Sequence, residues 1–301
     1  MQALLDAIAR ATPGQDACRI FHGRGGLYPG CEHLSLDWYA PVWVLTSFQP
    51  LTDAELQSVD AALSSRAEPL NWVYQCRQSG GQGTDTRLMA GEVPDPHEVT
   101  EQGARYRVHV LKGQNHGLFL DMACGRQWLR EQAPGRRVLN LFAYTCSFSV
   151  AALQGGAHEV VNIDMAAGAL AIGQQNHRLN HLVGGRFLAH DLFKSWGKVK
   201  RLGPYDIVVA DPPSYQKGSF VATKDYARVV RRLPELLAPG GVALLCLNAP
   251  EIPSAFLLDL VAAEAPTLKW VRRLDNPVVF ADVDPERALK VLLFSLDEPG
   301  Q

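Results

Sequence analysis

The sequence has no uninterrupted apolar stretch of the roughly 18 residues that a membrane-spanning helix requires. It opens on MQALLDAIAR, an amphipathic helical pattern that lacks the basic flank, long apolar core and small-residue cleavage site of a secretory signal. Its six cysteines (Cys18, Cys31, Cys76, Cys124, Cys146 and Cys246) never form a CxxC pair. That spacing argues against a thiolate zinc site and a disulfide scaffold, so no metal is expected and a reducing cytoplasm is. Repeats and low-complexity segments are absent. Charge of one sign is scarce too. With a net charge of −2, any nucleic-acid partner has to be held by a local basic patch. The glycine cluster Gly23-Arg24-Gly25-Gly26 lacks the strand–helix setting of a phosphate-binding loop and reads as a turn.

What is present is an ordinary globular balance, 47% hydrophobic and 20% charged, enough for a substantial core. The first 130 or so residues read as mixed and strand-rich. Runs at 42–48, 71–77, 87–93 and 106–111 favour strands, and Thr52-Asp-Ala-Glu55 is a capping-box start for a helix reaching about Arg66. After Pro134-Gly135 the rhythm changes. RRVLNLF (136–142), HEVVNID (158–164), RFLAHD (186–191), YDIVVAD (205–211) and VALLCLN (242–248) are short apolar runs separated by helical stretches, including 147–154, 166–180, 222–237 and 254–263. Alternation of this kind predicts an α/β fold: a Rossmann-like, doubly wound, mostly parallel sheet covered on both faces. LKWVRRL (268–274) and ALKVLLFSL (288–296) have no helix between them and should close the sheet as an antiparallel edge pair. The expected division is a smaller mixed α+β domain over 1–130, serving substrate recognition, and the Rossmann-like domain over 131–301.

In such a sheet, ligands bind beyond the carboxyl ends of the strands, where the strand order reverses. Three successive runs end there in aspartate: Asp164, Asp191 and Asp211. Any one of them alone could simply cap a helix. Three in succession suggest a nucleoside site. Asp164, 24 residues after Asn140, suits two ribose hydroxyls, and Asp191 suits an exocyclic amine, because a carboxylate only accepts hydrogen bonds. The tip after the first run, Ala143-Tyr-Thr-Cys-Ser147, contains no glycine, which argues against a pyrophosphate-bearing dinucleotide. Asp211-Pro212-Pro213-Ser214-Tyr215 is the most specific short motif. Two prolines stiffen a strand exit, the aspartate can accept from an amine nucleophile, and the tyrosine can stack on a planar group.

NLFAYT…FS (140–149), VVNID (160–164), DIVVADPPSY (206–215) and LAPGGVALLCLN (237–248) together resemble class I S-adenosylmethionine-dependent methyltransferases. The resemblance is nearest to the enzymes that modify bases of bacterial large-subunit ribosomal RNA, the 5-methylcytosine and 7-methylguanine group. Gly113-Gln-Asn-His-Gly-Leu-Phe-Leu-Asp121, HGRGGLYPG (22–30) and the closing stretch from Asn276-Pro277 through Pro285-Glu286 to Leu289-Lys290 extend the match to about 20–296. It implies S-adenosylmethionine as cofactor, ringed by Asn140, Phe142, Tyr144, Ser147, Asp164, Met165, Asp191, Leu192 and Asp211. Asp211, Pro212, Pro213 and Tyr215 then face the methyl group and the substrate, and ribosomal RNA or a ribosomal assembly is the implied partner. Two departures stand out. Cys146-Ser147 replaces a usual Gly-Gly, which could narrow the methionine end of the pocket, and Ala123 replaces a usual arginine.

The 5-methylcytosine relatives carry a nucleophilic cysteine just after the fifth strand. Counting from Gly240-Gly241, that position is Asn248 here, as in the 7-methylguanine relatives, so transfer to a nitrogen is expected. Cys246 lies earlier, inside the apolar run, where a small buried hydrophobe is the ordinary reading. Lys217, Arg228, Arg231 and Arg232, with Lys224, make a basic stretch against the single acid Asp225 directly after Tyr215. A phosphate chain could dock there, although a solvated helix face gives the same pattern. A protein-amide or small-molecule N-methyltransferase, and a non-catalytic cofactor- or RNA-binding module, remain as alternatives.

Overall fold

The computed structural model describes residues 1–66, 69–77, 84–216 and 220–297, the side chains of Tyr215 and Gln216 excepted. The chain divides into two compact units, Met1–Asp121 with Pro277–Pro285, and Met122–Asn276 with Glu286–Gln301.

In the first unit, α1 (Gln2–Arg10) and α2 (Asp53–Ser64) lie with a five-stranded sheet of β1 (Cys18–His22), β2 (Leu34–Tyr39), β3 (Val42–Ser47), β4 (Trp72–Arg77) and β5 (Thr84–Ala90) in that order. Only β3 and β4 run parallel, and α2 is the crossover that makes this possible. The capping box at its start forms as expected: Thr52 Oγ1 accepts from the Glu55 N–H and the Glu55 carboxylate accepts from the Thr52 N–H. Leu4, Ile8, Leu56, Val59 and Leu63 bury one face of these helices among Leu36, Trp43, Leu45, Trp72 and Tyr74. A separate hairpin, β6 (His97–Glu101) and β7 (Ala104–Val108), follows.

The second unit opens with α3 (Ala123–Gln132), which packs on α4 (Ser147–Gln154) and so falls on this side of the division rather than before residue 130. Its strands are β8 (Arg137–Leu141), β9 (Glu159–Asp164), β10 (Gly185–Ala189), β11 (Tyr205–Ala210), the two-residue pair β12 (Tyr215–Gln216) and β13 (Phe220–Val221), β14 (Leu237–Leu247), β15 (Leu268–Leu274) and β16 (Lys290–Leu296). The helices between them are α5 (Ala167–Leu179), α6 (Trp196–Leu202), α7 (Ala222–Val230), α8 (Leu233–Leu236) and α9 (Ala255–Glu264). The main sheet runs β10-β9-β8-β11-β14-β16-β15. The first five strands are parallel, whereas β16 is antiparallel to both β14 and β15. This is the expected doubly wound sheet with an antiparallel edge, except that the last strand inserts between β14 and β15. Two apolar clusters sandwich it, one around Leu139, Val208, Tyr226 and Leu245, the other around Leu129, Val138, Phe148 and Val209.

Two local differences have clear causes. The helix expected over 222–237 breaks after Val230, and Pro234 in the first turn of α8 starts a new helix that a continuous one could not contain. β14 begins at Leu237 and carries Pro239-Gly240-Gly241 within it, with a register shift between Tyr205 and Ile207 on β11 opposite. Among the described residues, no helix is long and apolar enough to cross a membrane, no group of three or more His, Cys, Asp or Glu could hold a metal ion, and none of the six cysteines is in a disulfide.

Candidate active site at the carboxyl edge of the parallel sheet

The chain leaves β8 outward to β9 and β10, then returns to β11 on the other side of β8. The order therefore reverses between β8 and β11, and the loops after these two strands flank the crevice that such a reversal opens. Register fixes what stands there. Leu141 lies level with Ile163 and Ala210, and Asp164 with Ala189. Phe142, Asp164 and Asp211 are thus one residue beyond paired neighbours at the same edge, with Asp191 two residues beyond Ala189.

The loop after β8 has an unusual backbone. Phe142, Tyr144 and Cys146 occupy the left-handed region at φ +57°, +49° and +61°. Each costs about 1–3 kcal/mol and persists only where its surroundings enforce it. Here the Ala143 N–H donates to Ile163 O at 3.1 Å, the Cys146 N–H to Ala143 O at 2.7 Å, and buried Asn176 Nδ2 to Thr145 O at 3.0 Å. Asp164 completes the hold. Its Oδ2 accepts from the Tyr144 N–H and its Oδ1 from the Ala166 N–H, each at 2.8 Å. Each oxygen keeps lone-pair capacity for one more donor.

Cys146 occupies the N-cap of α4, which has no side-chain cap, so the first-turn amides beside Ser147 have no side-chain acceptor. The thiol itself is fully buried with Ala143 and Leu170, and burial, then Asp164, pushes its pKa far above the ordinary thiol value. A Cβ on Gly173 of α5 would lie 2.5 Å from Cys146 Sγ. The Cys146 side chain is therefore accommodated by a glycine in the facing helix.

Asn140 is 1% exposed and belongs to a buried polar chain beneath the tip rather than to an open surface. Its Nδ2 donates to Asn162 Oδ1 (2.9 Å), and Asn162 Nδ2 to Ser149 Oγ (3.0 Å). Ser149 Oγ lies 2.8 Å from His177 Nε2, and His177 Nδ1 lies 2.7 Å from Gly173 O. A carbonyl only accepts, so Nδ1 carries the proton and Nε2 accepts from the serine. Burial lowers the His177 pKa and keeps the ring in this neutral form.

Asp191 caps the short 3-10 turn Leu192–Lys194 through the Phe193 N–H at 2.9 Å, so the capping role and the edge position coexist. Leu192 is buried beneath it, while Met165, after Asp164, is 53% exposed. Beyond β11, Pro212 is buried and Asp211, Pro213 and Ser214 are half-buried. Ser214 Oγ donates to the carbonyl of Asn248, the exposed residue just past β14. Backbone pairing of Tyr215 with Val221 turns the chain back. Lys217 lies outside the described residues, as does the Tyr215 side chain.

Several supports carried no signal as isolated residues. Phe220 packs edge-on to Phe142 (5.2 Å) and stacks with Phe193 (6.3 Å, 13°), joining the loops after β8, β10 and β11. Tyr226 is buried and its hydroxyl donates to Cys246 O (2.8 Å) and Ala210 O (3.4 Å), tying β11 to β14 at their ends. Its place in the apolar stripe Ala222, Tyr226, Val229, Val230 of α7 was the available clue.

The basic stretch divides. Arg228, Arg231 and Arg232 line an open groove of about 520 Å³ with Phe193, Trp196, Pro234 and Glu235. Arg228 stacks on Phe193 at 3.7 Å and pairs with Asp225 (3.0 Å). Arg231 makes two bonds to Glu264 and Arg232 one to Glu235, so much of this charge is answered locally.

A family of proteins described as S-adenosylmethionine-dependent methyltransferases matches residues 18–295. Ribosomal RNA large subunit methyltransferase I of Aeromonas hydrophila is 35% identical over 249 residues, covering 78% of this chain and 62% of that protein. The methyltransferase K/L of the same organism is 37% identical over 179 residues, 57% of this chain and 24% of its own. The chain thus spans less than two thirds of the length of these relatives. A solved structure from Streptococcus mutans, titled as a SAM-dependent methyltransferase, superposes with a TM-score of 0.84 at 24% identity, covering 98% of this chain and 81% of that one. Another, complexed with SAH, gives 0.82 at 24% identity, with coverage of 98% and 79%.

Proposed function

The chain belongs to the S-adenosylmethionine-dependent methyltransferase family, and on that premise we propose that it transfers a methyl group to a nitrogen of a ribosomal RNA base in the cytoplasm. The observation that carries this reading is the set of acceptor-only side chains on either side of the strand-order reversal. Asp164 ends β9 level with Asp211 just past β11, and Asp191 caps the turn after β10.

The residues fit the cofactor. Its ribose and adenine offer hydroxyl and amine donors, which match Asp164 and Asp191, and its carboxylate matches the uncapped start of α4 beside Ser147. Phe142, Tyr144, Met165 and Leu192 would supply apolar and backbone walls. Asn140 acts beneath, through Asn162, as a support for the loop. When bound, the cofactor supplies an electrophilic methyl group on a sulfonium centre.

The chain's own residues orient the acceptor. Pro212 and Pro213 hold the exit of β11 rigid, and the Ser214 hydroxyl on the Asn248 carbonyl anchors it to the neighbouring strand. Asp211 accepts a hydrogen bond from the acceptor amine and aligns its lone pair, which is the main requirement of a transfer with no covalent intermediate. Asn248 stands exposed where a carbon-methylating mechanism would need a thiolate, and Cys246 is fully buried. The groove of Phe193, Trp196 and Arg228 would receive the flanking RNA, and the first unit would contribute to its recognition.

Mapping methylated positions in large-subunit ribosomal RNA from cells with and without the protein tests this reading. Loss of one base-nitrogen methyl group is expected. An unchanged map, with labelled methyl appearing instead in protein or metabolites, overturns the RNA assignment.

A further inference from the structure

The turn Gly23–Gly25 in the first unit carries an arginine whose charge is left unanswered. Arg24 is exposed, lies over the Phe48 ring at 3.8 Å, and faces no carboxylate among the described residues. Arg77 approaches the same ring at 5.9 Å. Its own partners are neutral: Gln75 Oε1 at 2.6 Å and the Gln114 carbonyl. Asp37 favours the Arg77 charge while itself paired with Arg19, and Arg24 has no such support. Arg24 keeps an exposed edge, but the burial of the rest of its side chain, then the field of Arg19, lowers its pKa; burial lowers that of Arg77, and Asp37 offsets part of it. Two like charges beside one ring favour an anion placed between them.

The backbone around Arg24 is locked. A Cβ at Gly23 would collide with the Cys31 carbonyl, and one at Gly25 with the Ala281 carbonyl. The Gly26 N–H donates to Gly23 O (2.9 Å) and the Val283 N–H to Gly25 O (2.8 Å). Both glycines flanking Arg24 are thus required by close backbone approach, and the arginine between them is presented from a fixed position. Leu27 and Tyr28, in the same loop, are 47% and 40% exposed.

The geometry points to a phosphate-binding site formed by Arg24 and Arg77 over Phe48, which receives a phosphodiester of the RNA substrate. The inference rests on the RNA reading above and adds to it a contact in the first unit. A guanidinium held over a ring keeps N–H donors for phosphate oxygens, and no sequence information is read this way.

The test is binding of transcribed large-subunit ribosomal RNA to the full chain, measured by filter retention across a series of salt concentrations, for wild type, Arg24→Ala and Arg24→Lys. Arg24→Ala should weaken binding about threefold to tenfold and lower the salt slope by about one. Arg24→Lys should keep the slope and lose part of the affinity, since an ammonium lacks the planar fork. Calorimetric affinity for S-adenosylmethionine and the circular dichroism spectrum should be unchanged in both variants. If wild type binds with a clear slope and Arg24→Ala matches it, the phosphate site is wrong and the RNA reading stands. If wild type binds no RNA, both fall together.

Discussion

Replacing Gly173 by alanine tests the loop-to-helix packing at the candidate site. In an ordinary helix interior this substitution stabilises by about 1 kcal/mol, through backbone entropy. Here the added methyl would sit 2.5 Å from Cys146 Sγ and 3.0 Å from its Cβ. The thiol has no room to retreat, being 0% exposed with its backbone fixed at φ +61°. Overpacking of this kind costs about 1–3 kcal/mol. Gly173→Ala alone should therefore be neutral to destabilising by about 2 kcal/mol. Cys146→Gly removes the obstruction and relaxes a left-handed residue, a gain of about 1–2 kcal/mol that offsets the lost thiol contacts. In the double variant the helix gain returns without the clash, so the two changes should couple favourably by about 1–3 kcal/mol. Urea unfolding followed by far-ultraviolet circular dichroism measures the cycle, and calorimetry with S-adenosylmethionine should show affinity lost in Gly173→Ala and recovered in the double variant. Stabilisation by Gly173→Ala alone, or additivity within about 0.5 kcal/mol, would refute the packing argument.

Asp164→Asn turns one acceptor into a donor opposite the Tyr144 or Ala166 N–H; cofactor affinity by calorimetry should fall at least about tenfold and stability by about 1–3 kcal/mol, and unchanged affinity would remove Asp164 from the site. Cys246→Ser should leave methyl transfer largely intact while lowering stability by about 1–3 kcal/mol, because it buries a hydroxyl within an apolar strand; complete loss of transfer with normal folding would count against attack by a nitrogen. His22 and His116 are held neutral by burial first and by neighbouring arginines second, with pKa values lowered to about 4 and about 3. The unfolded chain therefore takes up protons first as pH falls below about 6.5, so stability is full above that value and erodes below it by up to about 1.4 kcal/mol per pH unit for buried His116, and by less for the half-exposed His22. His116→Asn should flatten the change in urea midpoint between pH 6.5 and 5, and an unaltered slope would contradict the assignment.

The elements that were legible are those whose patterns do not depend on distant partners. β8, β9 and β11 are short buried runs, and α2 announces itself by its capping box. β1 was not anticipated, because CRIFH carries Arg19 inward to pair with Asp37 on β2, and a buried ion pair interrupts the alternation that marks a strand. The three aspartates could be placed at one edge because each closes an apolar run; strand register brings Asp164 and Asp211 level, with Asp191 two residues further out. The roles of Phe193, Phe220 and Tyr226 could not be read, since each is defined by contacts among loops and strands far apart in the chain. Asn140, which the resemblance implied as a cofactor contact, is buried and its amide donates to Asn162, its register partner on β9, an interaction that spacing along the chain did not announce.

The loop after β8 shows why a missing glycine need not mean a missing site. Three non-glycine residues in left-handed conformations would be expensive in a free loop. Here the hydrogen-bonding groups of residues 143–146 answer to fixed partners: Ile163, Asn176 and, through Tyr144, Asp164. The one side chain that conflicts with the facing helix, that of Cys146, is accommodated because position 173 has no side chain of its own. Loop shape and helix composition are therefore a single trait distributed over two elements. Asp164 belongs to it as well. The same carboxylate that restrains the loop through one lone pair on each oxygen has its remaining acceptor capacity for a ligand's hydroxyl donors. Loop order and cofactor affinity should then rise and fall together, so a variant that loosened the loop while leaving affinity untouched would separate what this geometry joins.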